Sequence, residues 1–117
     1  YTHTGSMKNL LGQQPDKTMQ ERFSNEKQVS AETPPTFLVH TYEDRVVPPE
    51  NSIYFYLALR KAKVPAEMHI YLKGRHGVGL GNGAGEVSSW PQRCLGWMRA
   101  QDFLSDTSEL ECLKCLE

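Results

Sequence analysis

The stretch from Thr33 to Gly77 constrains the fold of this 117-residue chain more than any other part. It holds a compact apolar run (36–41), a helix-length connection, and a second run (67–72) in which apolar and polar residues alternate. A strand, a helix and a second strand in this order form a right-handed crossover in a parallel sheet, so the loops after both strands emerge at one edge. The sequence therefore predicts an α/β fold.

The two strand runs differ in how they are expected to be buried. Phe37, Leu38 and Val39 are consecutive apolar residues, a pattern typical of a strand that is covered on both faces. The second run alternates, which places Ile70 on its apolar face and predicts that this side chain lies in the core.

The connection between the strands predicts a helix. Pro48 and Pro49 suit its first turn, and Glu50 complements the positive end of the helix dipole. Apolar residues recur at helical spacing as far as Lys63, and Pro65 ends the helix.

The remaining sequence divides the chain into three parts. Residues 1–32 are polar and predict an irregular connecting segment, with a short helix over Asp16 to Phe23. Residues 33–104 form the α/β portion, which ends in a second helix. Residues 105–117 alternate acids with leucines and predict either a short amphipathic helix or a frayed tail.

Charge and hydropathy argue against several classes of partner. The formal net charge is -1, and no long run of like charges occurs, so neither nucleic acid nor an anionic membrane is an expected partner. No apolar run approaches the roughly 20 residues that cross a bilayer, and the sequence shows no charged-then-apolar leader. These features predict a soluble chain and leave its compartment open.

Neither the cysteines nor the glycines predict a cofactor. Cys112 and Cys115 form a lone Cys-x-x-Cys pair, without the second pair or spaced histidines of a zinc site. Thiols on a helical tail are favoured over a redox pair or half a metal site. The glycines between Gly77 and Gly85 do not have the G-x-G-x-x-G spacing of a dinucleotide-binding loop. No metal and no cofactor are therefore expected.

Two titratable residues follow the predicted strands, Asp44 after the first and His76 after the second. Ligands and catalytic groups of open α/β sheets collect at this edge, so the two side chains are expected to face each other. A carboxylate that accepts one imidazole N–H fixes the tautomer, which makes the other nitrogen a general base. The alternative for Asp44 is an ordinary turn carboxylate paired with Arg45. The alternative for His76 is a loop histidine without a functional role.

The other histidines are not predicted to be catalytic. His40 and His69 lie inside the strand runs and are interpreted as structural, hydrogen-bonded side chains. His3 lies near the start of the chain and is interpreted as a solvent-exposed bystander.

Several motifs in the right order resemble the carboxyl-terminal part of an α/β hydrolase. The motifs are EDRVVP, PENS, ALRKAKVPAEMHIY and GRHGVGL, followed by Trp90 and the run CLGW. The resemblance lies in the esterase and lipase branch that includes acetylxylan-esterase-like, xylanase-associated proteins. It covers nearly everything up to Arg99, and GSMKNLLG near the start also fits it.

This resemblance implies a Ser, Asp, His triad in that chain order, with Asp44 as the acid and His76 as the base. The serine of such enzymes lies upstream on a G-x-S-x-G elbow, and no such pentapeptide occurs in the sequence. The implied fold is thus the carboxyl-terminal β-α-β-α portion of an α/β-hydrolase sheet that lacks the amino-terminal strands and the nucleophile elbow.

The resemblance implies part of a serine carboxylic-ester hydrolase. Its expected substrates are acetylated carbohydrates of hemicellulose or xylan, or other short-chain esters, and its serine is not in this chain. The alternative is a non-catalytic binding or assembly module derived from an α/β hydrolase. A two-strand remnant also has an unpaired edge, which predicts self-association or strand exchange.

Overall fold

The computed structural model describes residues 2–104. Its sheet consists of two parallel strands, β1 (Thr36–Thr41) and β2 (Ala66–Tyr71), whose residues pair one to one along their whole length. The predicted bounds of the first strand are confirmed, and the second strand is displaced by one residue. The tail predicted over 105–117 lies outside the described residues, and Cys112 and Cys115 lie there with it.

Helices surround the two strands. In chain order they are α1 (Thr4–Leu11), α2 (Lys17–Arg22), α3 (Asn25–Gln28), α4 (Glu50–Lys61), a 3-10 helix (Gly85–Ser89) and α5 (Trp90–Ala100). The helix predicted between the strands is α4, which begins at Glu50 and ends two residues before the sequence pattern suggested. None of the helices within the described residues is long and apolar enough to cross a membrane.

The amino-terminal segment is more helical than the sequence predicted. The expected short helix is α2, where the Asp16 carboxylate caps the helix by accepting the Met19 N–H at 2.7 Å. In addition, the His3 ring accepts the N–H of Ser6 at 3.2 Å and caps α1, so His3 is not a bystander. Capping by a histidine is not among the usual start signals of a helix, which is why the pattern missed α1.

Helices cover both faces of the sheet. Phe37 and His40 point to opposite faces of β1 because side chains alternate along a strand. The Phe37 ring lies 5.6 Å from the Trp97 ring of α5, between ring centroids. The His40 ring is hydrogen-bonded to Ser52 of α4. The consecutive apolar residues of β1 are therefore explained by a layer on each side, as predicted.

The prediction that Ile70 lies in the core was wrong. Ile70 pairs with His40 in the sheet, yet 41% of the residue is exposed. A sheet with one neighbour for each strand is too narrow to surround such a side chain. The alternation of the sequence therefore predicted the face of the sheet on which Ile70 lies, but not how far the side chain is buried. The buried apolar residues among the described ones are Leu59, Val64 and Val87 instead.

Candidate active site

The loop after β1 holds the carboxylate of Asp44 in a defined orientation. The backbone N–H groups of Val46 and Val47 both donate to Oδ1 of Asp44, each at 2.9 Å. A short acidic side chain that binds the amides two and three residues ahead stabilises a tight turn. One carboxylate oxygen is thereby occupied by its own loop, and Oδ2 points towards the loop after β2.

The loop after β2 is tied to the end of β1 by two contacts. The hydroxyl of Thr41, a residue only 4% exposed, donates to the carbonyl oxygen of Gly74 at 2.7 Å. The Lys73 ammonium lies 2.6 Å from a carboxylate oxygen of Glu43, which lies in the loop after β1. Because this ion pair is largely exposed, the buried Thr41 contact contributes more to the relative position of the two loops.

The two loops bring Asp44 and His76 together, 32 residues apart in sequence. Nδ1 of His76 lies 2.8 Å from Oδ2 of Asp44. The Asp44 side chain is only 9% exposed, whereas half of the His76 side chain is accessible to solvent. The partners of Asp44 within residues 2–104 are thus histidines and backbone amides, and Arg45 is not one of them.

The electrostatics of the loop favour an ionised Asp44. Burial by itself raises the pKa of this carboxyl, but hydrogen bonds from the Val47 N–H, the His76 ring and the Val46 N–H outweigh burial and lower the pKa below its ordinary value. An ionised carboxylate can only accept, so Nδ1 of His76 carries the proton of the shared hydrogen bond. The ring nitrogen Nε2 then keeps its lone pair and can take up a proton.

An open cleft of about 340 Å³ lies beside the pair. Val39, Val47 and Val78 line it together with His76, so the ring borders a partly apolar space. Arg75 lines it as well, and the cleft can place a small group against the imidazole.

The glycine-rich stretch that follows His76 packs tightly against the 3-10 helix and the first residue of α5. The indole N–H of Trp90 donates to the carbonyl of Gly79 at 2.9 Å. A Cβ atom at Gly81 would lie 2.8 Å from the Cα of Ser88, whereas a Cβ at Gly83 would meet nothing within 4 Å. The backbone of Gly81 therefore approaches its neighbour more closely than any other residue type permits.

This difference gives a test of the loop packing. Both glycines have a positive φ, +77° at Gly81 and +70° at Gly83, so alanine is strained similarly at either position. Because Gly81→Ala also forces the Ser88 backbone to move, we expect it to lower the free energy of unfolding by about 1 to 3 kcal/mol more than Gly83→Ala does. Equilibrium urea unfolding measures both variants, and equal losses would contradict the close approach.

The two strand histidines are hydrogen-bonded, as predicted. His69 Nε2 lies 2.7 Å from a carboxylate oxygen of Glu67. His40 contacts Ser52 through Nδ1 at 2.7 Å and the carbonyl of Val47 through Nε2 at 3.0 Å. The sequence did not indicate that His40 reaches the loop of Asp44, because this contact depends on how the turn after β1 folds back towards the strand.

The sequence of residues 1–101 matches the profile of the prolyl oligopeptidase family. The chain belongs to this family.

Two curated relatives of this family member act on xylan according to their names. Endo-1,4-beta-xylanase B of Butyrivibrio fibrisolvens is 45% identical over 82 residues, which cover 70% of this chain and 13% of that protein. Acetylxylan esterase of Xylanibacter ruminicola is 33% identical over 84 residues, which cover 68% of this chain and 18% of the relative. The chain therefore spans less than a fifth of the length of either protein.

A solved structure resembles the fold closely. The acetyl ester-xyloside bifunctional hydrolase from Caldicellulosiruptor lactoaceticus superposes with a TM-score of 0.88 and is 44% identical, over 90% of this chain and 39% of that one. Two further solved structures match with TM-scores of 0.64 and 0.54, a carboxylesterase from Lactobacillus plantarum and an α/β hydrolase from a deep-sea metagenome library. The predicted fold class, a portion of an α/β-hydrolase sheet, is confirmed by these similarities.

Proposed function

We propose that this prolyl oligopeptidase family member supplies the acid and the base, Asp44 and His76, of a serine carboxylic-ester hydrolase. The hydrogen bond of 2.8 Å between His76 Nδ1 and Asp44 Oδ2 carries the proposal. The nucleophile is a serine outside the 117 residues, because the sequence has no G-x-S-x-G elbow.

His76 acts first as a general base. Its Nε2 accepts the proton of the serine hydroxyl while the serine oxygen attacks the acyl carbon of the ester. The ring becomes an imidazolium, and the carboxylate of Asp44 stabilises that charge through the Nδ1–H that it already accepts. The lowered pKa of Asp44 keeps this carboxyl ionised for the task.

His76 then acts as a general acid. The proton on Nε2 passes to the alcohol oxygen, the bond between this oxygen and the acyl carbon breaks, and the acyl group stays on the serine. In the second half, Nε2 takes a proton from water while the water oxygen attacks the acyl carbon. The bond between the acyl carbon and the serine oxygen then breaks, the proton on Nε2 passes to the serine oxygen, and the carboxylic acid leaves. Throughout, Asp44 accepts the Nδ1–H of His76 and holds the ring in one orientation.

The proposed substrates are short-chain esters, with acetylated carbohydrate such as xylan as the leading class. This choice is supported by the names of the relatives, an acetylxylan esterase and a hydrolase of acetyl esters and xylosides. The cleft beside His76 is open and partly apolar, which suits a small acyl group.

The sheet also supports the proposal that other strands join this unit. Each strand has a single neighbour among the described residues, so each retains an unpaired edge. Unpaired backbone groups at a sheet edge are sites at which further strands add. Strands of the hydrolase that carry the serine are the proposed occupants, and a second copy of this chain is the alternative.

A chimera tests the proposal. The 117 residues replace the segment they match in the Caldicellulosiruptor hydrolase, and hydrolysis of 4-nitrophenyl acetate is measured beside the 117-residue chain alone and the host without that segment. We expect the chimera to turn over the ester and both controls to stay at background. A chimera that folds cooperatively yet hydrolyses nothing would favour the non-catalytic binding or assembly module.

A further inference from the structure

We propose that His40, held by Ser52, is a positioning residue for the acid Asp44. This inference rests on the proposed function of the Asp44 and His76 pair, and it assigns a task to a histidine that the mechanism above does not use.

The partners of His40 fix its tautomer. The carbonyl oxygen of Val47, 3.0 Å from Nε2, can only accept, so Nε2 carries a proton. In the neutral ring Nδ1 then accepts the proton of the Ser52 hydroxyl at 2.7 Å. Both nitrogens of the imidazole are thereby engaged, and the plane of the ring is set.

The contact with Val47 bears directly on the acid. His40 holds the carbonyl of Val47, while the N–H of the same residue donates to Oδ1 of Asp44. Nε2 of His40 also lies 3.5 Å from Oδ2 of Asp44, the oxygen that binds His76. His40 therefore faces both the turn that orients the carboxylate and the oxygen that accepts the hydrogen bond from His76.

Burial makes these contacts difficult to replace by water. The side chains of His40 and Asp44 are 10% and 9% exposed. If His40 lost its ring, the carbonyl of Val47 would lack its partner in a poorly solvated place, where an unsatisfied polar group is costly. The turn around Asp44 would then relax to recover a partner, and the carboxylate would move with it.

The support for the acid comes from regular structure on two sides. His40 lies in β1 and Ser52 lies in the first turn of α4, so a strand and a helix together hold a loop side chain. Catalytic groups need such support because small displacements reduce the rate strongly. A purely structural His40 would change only stability, whereas a positioning His40 also changes the hydrogen bond between Asp44 and His76.

Nuclear magnetic resonance of the 117-residue chain separates these roles. The readouts are the downfield proton signal of His76 Nδ1–H, assigned by its loss in His76→Gln, and the pKa of the Asp44 carboxyl. The variants are His40→Leu, which removes both polar contacts, and His40→Gln, whose amide can still donate to the Val47 carbonyl. His69→Leu is the matched control, because His69 lies on the opposite face of the sheet from His40.

We expect His40→Leu to lose the downfield signal and to raise the pKa of Asp44, since the backbone donors move away from the carboxylate. His40→Gln retains both readouts, and His69→Leu leaves them unchanged. A His40→Leu variant with a lower melting temperature but both readouts intact would overturn the proposal. If His40→Leu does not fold, Ser52→Ala replaces it in the test, because this substitution removes the side chain that holds the His40 ring. Unchanged readouts in Ser52→Ala would also overturn the positioning role of His40.

This experiment and the chimera assay fail independently. An inactive chimera with the expected resonance changes would count against the hydrolase alone. An active chimera whose Asp44 and His76 hydrogen bond survives in His40→Leu would count against the positioning role alone.

Discussion

In the chimera, Asp44→Asn is expected to lower kcat for acetyl ester hydrolysis by about 10,000-fold. The asparagine oxygen can still accept the N–H groups of Val46 and Val47, which occupy Oδ1 in the native loop. Its NH₂ group then faces Nδ1 of His76 and donates to it. The ring is driven into the tautomer that carries its proton on Nε2, and this tautomer cannot accept the serine proton.

Glu67→Gln is the control for this substitution. Glu67 also pairs with a histidine, His69, at 2.7 Å, so it matches the carboxylate and imidazole chemistry at a site remote from the proposed reaction. We expect this variant to stay within about two-fold of the unsubstituted chimera, as is usual for exposed pairs. If Asp44→Asn also stayed within ten-fold, Asp44 would not orient the base.

The second large effect concerns stability. Leu59→Ala is expected to lower the free energy of unfolding by about 2 to 5 kcal/mol, because Leu59 is fully buried and alanine leaves a cavity. Leu57 lies in the same helix but is 51% exposed. The matched Leu57→Ala substitution is expected to cost less than about 1 kcal/mol, since surface changes are usually small.

Equilibrium urea unfolding of the two variants measures the difference directly. Both replace leucine by alanine in α4, so the change in helix propensity is the same and cancels in the comparison. Similar losses for Leu57→Ala and Leu59→Ala would mean that the packing of α4 on the sheet differs from the one described.

The parts of the fold that follow from local pattern and handedness were predictable. Consecutive apolar residues gave β1, the prolines and Glu50 gave the start of α4, and the right-handed crossover rule made the strands parallel. That rule is also why Asp44 and His76 were expected at one edge although 32 residues separate them. The contact between Asp44 and His76 depends on the parallel topology of the two strands, and the order of strand, helix and strand in the sequence predicts that topology.

Other features depend on tertiary contacts that no local pattern encodes. Alternation assigned Ile70 to a face, but its depth depends on how many neighbours the sheet provides, and the structure leaves it 41% exposed. His3 caps a helix although histidine is not a usual capping residue. The contact of His40 with Val47 depends on the turn after β1 folding back towards the strand, which the spacing alone did not reveal.

The most direct test of the central claim is kcat for 4-nitrophenyl acetate in the chimera with and without His76→Ala. If His76 is the base of the hydrolase, the substitution lowers kcat by about 1,000-fold or more while the melting temperature stays close to that of the chimera. If the variant retains kcat within ten-fold, some other group takes the serine proton, and the assignment of Asp44 and His76 as acid and base is wrong.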